Sequence, residues 1–102
     1  MITLQTKLQP APIVLATTLS NQEMEFLHLQ SNDYYSLNET GAHIWQGLRQ
    51  ELTLAEISRR LVATYSITLA EAEAAVLALL HDLHAENLVQ PIDRSAKREA
   101  YA

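Results

Sequence analysis

Two hydrophobic patterns follow one another along the chain, an alternating pattern in the first third and a helical one in the remainder. Residues 13–19 are rich in β-branched side chains, and residues 23–30 alternate apolar with polar positions. Both patterns are typical of strands. Turn residues separate them from a third, aromatic strand at residues 34–37. The pattern predicts an antiparallel meander whose third strand lies at an edge.

Three helix starts follow the strands. Asn38 can cap the free amides of a helix that runs to about Gln50. Residues 53–56 and 68–71 each have the Thr-x-x-Glu sequence of a capping box, which predicts two more helices. The last helix is expected to end near Asn87, because asparagine tolerates the left-handed backbone conformation that closes a helix.

This order of elements predicts an α+β, winged-helix-like fold, with a three-stranded antiparallel sheet followed by three helices. We assign the folded domain to residues 13–90, with residues 88–90 leaving the last helix as an extended segment. Residues 1–12 contain two prolines and are predicted to form an irregular N-terminal lead-in. Residues 91–102 are polar and are predicted to form a flexible C-terminal tail.

Composition narrows the possible functions. The 102 residues include no cysteine and only two glycines. Disulfides, thiolate ligands and a glycine-rich phosphate loop are therefore excluded. No apolar run approaches the roughly 20 residues of a membrane span, and no secretory signal is evident. We therefore expect a cytoplasmic protein with no membrane partner.

Charge argues against nucleic acid as a partner. The formal net charge is −5, from twelve acidic and seven basic residues. Residues 68–87, which would supply a recognition helix in a winged-helix DNA-binding protein, contain four acids and no Lys or Arg. Phosphate binding requires several cations on one surface, so DNA binding remains only as an alternative.

The third predicted helix is apolar over a wider arc than one core contact requires. One interpretation is a broad, alanine-rich contact with the other two helices. The other is a groove between one flank of this helix and the third strand, which a partner fills. The residues predicted to face the core are Leu69, Ala72, Val76, Leu79, Leu80 and Leu83, and the apolar positions beyond them are Ala70, Ala74, Leu77 and Ala85.

The strand Tyr34–Leu37 would form the other wall of that groove. An edge strand exposes unpaired N–H and C=O groups, and proteins usually protect such edges with charge or proline. Only Asp33 is charged here, and no proline intervenes. The edge could therefore accept an extended peptide as an added strand. It could equally pair with a second copy as a homodimer, or the two tyrosines could be ordinary strand aromatics.

Groups suited to catalysis or metal binding are sparse. His81 and His84 would need further ligands for zinc and are best explained as solvated helix residues. No serine lies in a Gly-x-Ser-x-Gly turn. Trp45 is predicted to anchor the core. We therefore expect a non-enzymatic protein with no catalytic residue, metal or cofactor.

A family resemblance rests on a run of motifs that begins at the third strand. The chain reads Leu37-Asn38, Thr40-Gly41-Ala42, Ile44-Trp45 and Thr53-Leu-Ala-Glu56-Ile57. In this pattern it resembles the PqqD-like family, the leader-binding domains (RiPP recognition elements) of ribosomal peptide biosynthesis. It departs from members of the pyrroloquinoline quinone pathway at Ala75, where an acidic residue is usual, and at Asn87, where glycine is usual.

The resemblance implies a function. A protein of this kind binds the leader segment of a precursor peptide and presents it to a leader peptidase or another modifying enzyme. The stand-alone proteins of lasso-peptide clusters look most similar. In the family the leader pairs with the third strand and packs against the third helix. Carried over, this gives as leader-binding residues Tyr34, Tyr35, Ser36, Leu37, Glu73, Val76, Leu77 and Leu80.

Overall fold

The computed structural model describes residues 2–12, 14–19 and 22–92, so residues 93–102 of the predicted tail lie outside it. Five strands and three helices occupy the described residues. The strands are β1 (Leu8–Pro10), β2 (Val14–Thr18), β3 (Met24–His28), β4 (Tyr34–Leu37) and β5 (Val89–Pro91), and the helices are α1 (Glu39–Arg49), α2 (Leu54–Thr64) and α3 (Leu69–Ala85).

The predicted meander is confirmed. Strands β2, β3 and β4 form an antiparallel sheet in that order, so β4 lies at an edge. Met24 pairs with Leu37, and Leu27 pairs with Tyr34. Every second residue of β3 faces the core, as its alternating pattern predicted, and the buried positions are Met24, Phe26 and His28.

A second, two-stranded sheet joins the ends of the described chain. Strand β1 pairs with β5 in antiparallel register. The extended segment predicted at residues 88–90 is thus seen as β5, whereas β1 lies within residues 1–12, where the sequence predicted irregular chain. Prolines are compatible with this sheet because each strand has only one partner and needs no donor on its outer side. Leu8 at the start of β1 is fully buried, which explains why this segment is held in place.

The three helix starts are as predicted. The side chain of Asn38 accepts a hydrogen bond from the Gly41 amide at 2.9 Å. Thr53 and Thr68 both form complete capping boxes with the glutamate three residues later. At the other end of α3, Asn87 adopts a positive φ of 60°, the left-handed conformation that its sequence position predicted.

One core lies between the larger sheet and the helices. Phe26 of β3 packs on Trp45 of α1 with ring centroids 4.3 Å apart, which confirms Trp45 as a core anchor. Four of the six core positions predicted on α3 are buried. Leu79 is only partly buried, and Leu69 is 45% exposed. Leu69 is the first residue of α3 and therefore lies at the end of the predicted core stripe.

Candidate functional site

The outer edge of β4 presents backbone groups that no other strand within the described residues pairs with. The amide of His28 donates to the carbonyl of Asp33 at 2.9 Å, which makes these two residues a hydrogen-bonded pair. In an antiparallel ladder such pairs alternate with non-bonded ones. Tyr34 and Ser36 therefore point their N–H and C=O groups away from β3, toward the open edge.

A groove of about 500 Å³ runs beside this edge. Its walls come from the end of β4, the first turns of α1 and one flank of α3. We call it the β4–α3 groove, and its lining residues are Ser36, Leu37, Asn38, Thr40, Gly41, Ile44, Ala75 and Leu79. The volume falls within the range of roughly 300–1,000 Å³ typical of ligand sites.

The motif Leu37-Asn38-x-x-Gly41 builds the floor of the groove. Asn38 caps α1 directly after β4, so the chain turns from strand to helix without a linker. A Cβ on Gly41 would lie 3.1 Å from the Cβ of Leu37, closer than such atoms normally approach. Glycine at this position therefore lets the first turn of α1 pack directly against Leu37.

Tyr35 ties β4 to the far end of α3. Its hydroxyl donates a hydrogen bond to Oε2 of Glu86 at 3.0 Å. Partial burial raises the pKa of this hydroxyl above its ordinary 10.0, and the hydrogen bond to Glu86 and the charges of Glu86 and Asp33 raise it further. Tyr35 thus contacts the C-terminal end of α3, whereas Leu37 lines the groove together with Ala75 and Leu79 from the middle of that helix.

The structure brings part of the predicted site to the groove. Ser36 and Leu37 line it. Tyr34 is 74% exposed and Tyr35 is half-buried, and neither lines the groove. Val76 and Leu80, by contrast, are fully buried in the core. Their side chains are covered in this structure, and the contact of these two residues with a leader peptide stays a prediction.

The remaining two predicted residues lie on the other flank of α3. Neither Glu73 nor Leu77 lines the groove. At about 100° per residue, Leu77 is roughly 160° from Leu79 around the helix. The groove thus lies on the flank of α3 opposite to the one that carries these two predicted residues. Ala75 and Leu79, which the sequence did not single out for the site, line it instead, and the wide apolar arc of α3 carried no signal that could have separated the two flanks.

The described residues assemble no centre for metal chemistry. Within residues 2–12, 14–19 and 22–92, no three His, Cys, Asp or Glu side chains lie together as a metal site would need. His81 and His84 are both exposed on α3. No helix in the described part of the chain is long and apolar enough to cross a membrane. The groove offers apolar surface and backbone hydrogen bonds, which suit binding of an extended chain.

The family profile described as Coenzyme PQQ synthesis protein D (PqqD) matches residues 23–89, which is more than half of the chain. The chain belongs to the PqqD family. The match begins just before β3 and ends in β5, so it includes every element that lines the groove.

Two solved structures have the same fold as this PqqD-family chain. One is TbiB1 in complex with the TbiA(beta) leader peptide, at 25% identity and a TM-score of 0.76, with 83% of this chain and 98% of that chain covered. The other is lasso peptide synthetase B1 complexed with the leader peptide, at 25% identity and a TM-score of 0.77, with 83% and 99% covered. No protein with a curated description matches the chain.

Proposed function

We propose that this PqqD-family protein is a non-catalytic binding protein that captures the leader segment of a ribosomally made precursor peptide. The leader adds as a strand to the outer edge of β4. The protein then presents the bound precursor to a leader peptidase or another modifying enzyme. Both similar structures contain a leader peptide, and the similarity to lasso peptide synthetase B1 supports a place in lasso-peptide biosynthesis.

The observation that carries this proposal is the open edge of β4 beside the β4–α3 groove. Backbone groups of Tyr34 and Ser36 can bond to any extended chain, whatever its sequence. Side chains on the inner face of that chain enter the groove and meet Leu37, Ala75 and Leu79. Backbone pairing thus gives affinity, and the groove gives register and selectivity.

Charge supports a peptide over a nucleic acid as the ligand. The cations among the described residues are Lys7, Arg49, Arg59 and Arg60, and none of these lies on β4 or α3. A phosphate backbone against this surface would meet carboxylates with no compensating positive charge from the part of the chain that the structure describes. Its approach would be repulsive over about 8 Å at physiological salt.

Proline substitution on the two edges of the same sheet tests strand addition. Ser36→Pro removes an N–H that faces the open edge of β4 without removing a bond to β3. Ala16→Pro is the matched control. The Leu19 amide donates to the Glu23 carbonyl at 2.7 Å, so the alternation places the Ala16 N–H on the opposite edge, away from β3. The probes are fluorescein-labelled synthetic peptides that cover the leader of each short reading frame next to the gene.

We expect one such peptide to bind the wild-type protein. Ser36→Pro should lower the affinity for this peptide at least tenfold, about 1.4 kcal/mol, and Ala16→Pro should leave the affinity unchanged. Circular dichroism checks that both variants fold. If Ser36→Pro unfolds, N-methylation of successive peptide amides tests the same backbone pairing on the intact protein. Equal binding by both proline variants, or no effect of N-methylation at any position, would overturn the proposal.

A further inference from the structure

The groove flank of α3 combines apolar and acidic side chains in a fixed order. Ala75 and Leu79 line the β4–α3 groove. Asp82 follows Leu79 by three residues and Glu86 follows it by seven, so both share its flank of the helix. Both are exposed. The wall of the groove is therefore apolar in its middle and acidic toward the C-terminal end of α3.

A third carboxylate joins these two from the strand. Asp33 directly precedes β4 and is two residues from Tyr35, whose hydroxyl binds Glu86 at 3.0 Å, so Asp33 and Glu86 lie toward the same end of the two walls. The C-terminus of α3 also lies at this end, where the helix dipole adds partial negative charge. We call this the acidic end of the groove, defined by Asp33, Asp82 and Glu86.

No cation among the described residues neutralises the acidic end. Lys7 and Arg59 act instead on Glu56 at the start of α2, Arg60 belongs to α2, and Arg49 ends α1. A leader bound along β4 would therefore bring its own side chains close to carboxylates that no cation among residues 2–12, 14–19 and 22–92 compensates. An acidic leader residue would be repelled there, and a basic one attracted.

We propose that the leader recognised by this protein carries a Lys or Arg at the acidic end of the groove, beside an apolar residue that faces Ala75 and Leu79. This inference rests on the proposed function and adds the charge and register of the ligand. Asp82 and Glu86 lie about 4.5–10 Å beyond Leu79 along the helix axis. A strand rises about 3.3 Å per residue and returns to the same face every second residue. The basic residue therefore lies about two positions from the apolar one.

Selection from a random displayed-peptide library tests the inference, because it does not require the natural leader. Peptides are selected on the wild-type protein, and those that no longer bind Ser36→Pro are kept as edge-dependent. The affinity of these peptides for the double variant D82N/E86Q is then measured. In this variant the amide oxygen of the glutamine can still accept the Tyr35 hydrogen bond. E73Q is the matched control, since Glu73 lies on the opposite flank of α3.

We expect the edge-dependent peptides to be enriched in Lys or Arg two positions from an apolar residue. D82N/E86Q should bind these peptides roughly three- to tenfold more weakly than the wild type, and its binding should depend less on salt. E73Q should bind them as the wild type does. Edge-dependent peptides without basic enrichment, or with equal affinity for D82N/E86Q, would overturn this inference and leave the proposed function intact. A selection that yields no edge-dependent peptide would contradict the proposed function itself, and the inference with it.

Discussion

The hydroxyl of Tyr35 and the carboxylate of Glu86 are joined by a hydrogen bond of 3.0 Å across 51 residues of sequence. The bond links the open strand β4 to the residue that caps the C-terminus of α3. It therefore ties β4 to the C-terminal end of α3. Because one partner is charged, the contact also reports on the electrostatics of that end.

Replacing Glu86 with glutamine should lower the pKa of Tyr35. A carboxylate next to the phenol disfavours its ionised form, and Glu86 raises the pKa both through the hydrogen bond and through its charge. In the wild-type protein the raised pKa contributes stability below pH 10, and this contribution is lost as pH rises through the folded-state value. NMR titration of the tyrosine ring carbons would measure the change. An unaltered Tyr35 titration in E86Q would show that the two groups are not in contact in solution.

The capping box at the start of α3 should make the protein sensitive to acid. The backbone amide of Thr68 donates to the Glu71 carboxylate at 3.0 Å and lowers the pKa of that group below its ordinary 4.5. A lowered folded-state pKa contributes stability that is present above the unfolded value and lost as pH falls through the folded value. Glutamine keeps the hydrogen bond without the titration. Glu71→Gln should therefore lose less stability than the wild-type protein between neutral and acidic pH in urea unfolding, and an equal loss would contradict this.

Removing the threonine that caps α3 should lower the stability of the protein already at neutral pH. Thr68→Ala deletes the oxygen that accepts from the Glu71 amide at 3.1 Å. The expected cost is about 1 kcal/mol of unfolding free energy at neutral pH. Thermal or urea unfolding measures it, and Ser in place of Thr68 is the conservative control that should recover most of the loss. A Thr68→Ala protein as stable as the wild type would mean that this helix start contributes little.

Replacing Gly47 with alanine has two opposing effects on the free energy of unfolding, one from helix propensity and one from packing. Alanine is favoured over glycine inside a helix by about 1 kcal/mol. A Cβ at this position, however, would lie 2.7 Å from Cγ1 of the buried Ile57, where α1 meets α2. Overpacking of a core typically costs about 1–3 kcal/mol, so Gly47→Ala should be destabilising overall.

The double variant with Ile57→Ala provides the control for this prediction. It removes the atom that the new methyl group would meet, so the penalty of Gly47→Ala should disappear in that background. Urea unfolding of the four proteins gives the coupling energy. A stabilising Gly47→Ala in the otherwise wild-type chain would show that α1 and α2 separate easily at this contact.

Local signals in the sequence were sufficient to predict most of the fold. Asn38 and the two threonine capping boxes act through hydrogen bonds within one helical turn, and the alternating pattern of β3 fixes which of its faces is buried. Such features require no knowledge of distant residues. Strand β1 was missed because its pairing partner is β5, about 80 residues later, and its prolines suggested irregular chain.

Only one wall of the β4–α3 groove could be predicted from the sequence. Its strand wall was predictable, because Ser36 and Leu37 belong to a segment that had to lie at an edge. Its helix wall was not. Leucines and alanines occupy most faces of α3, and only the packing of α3 against α2 and β5 decides that Leu79, not Leu77, lines the groove.

The difference between Leu77 and Leu79 provides the most direct test of the claim that a leader peptide binds in the β4–α3 groove. Leu77 and Leu79 are both leucines of α3, and both are partly buried against the core. Leu77→Asp and Leu79→Asp are therefore closely matched in chemistry, and their thermal unfolding checks that neither has lost the fold. Only Leu79 lines the β4–α3 groove.

The measurement is the affinity of both variants for the labelled leader peptide that the wild-type protein binds. Binding in the groove predicts that Leu79→Asp weakens the complex by more than tenfold, about 1.4 kcal/mol, and that Leu77→Asp binds as the wild type does. Unchanged affinity in a folded Leu79→Asp protein, or loss of binding in Leu77→Asp alone, would contradict it.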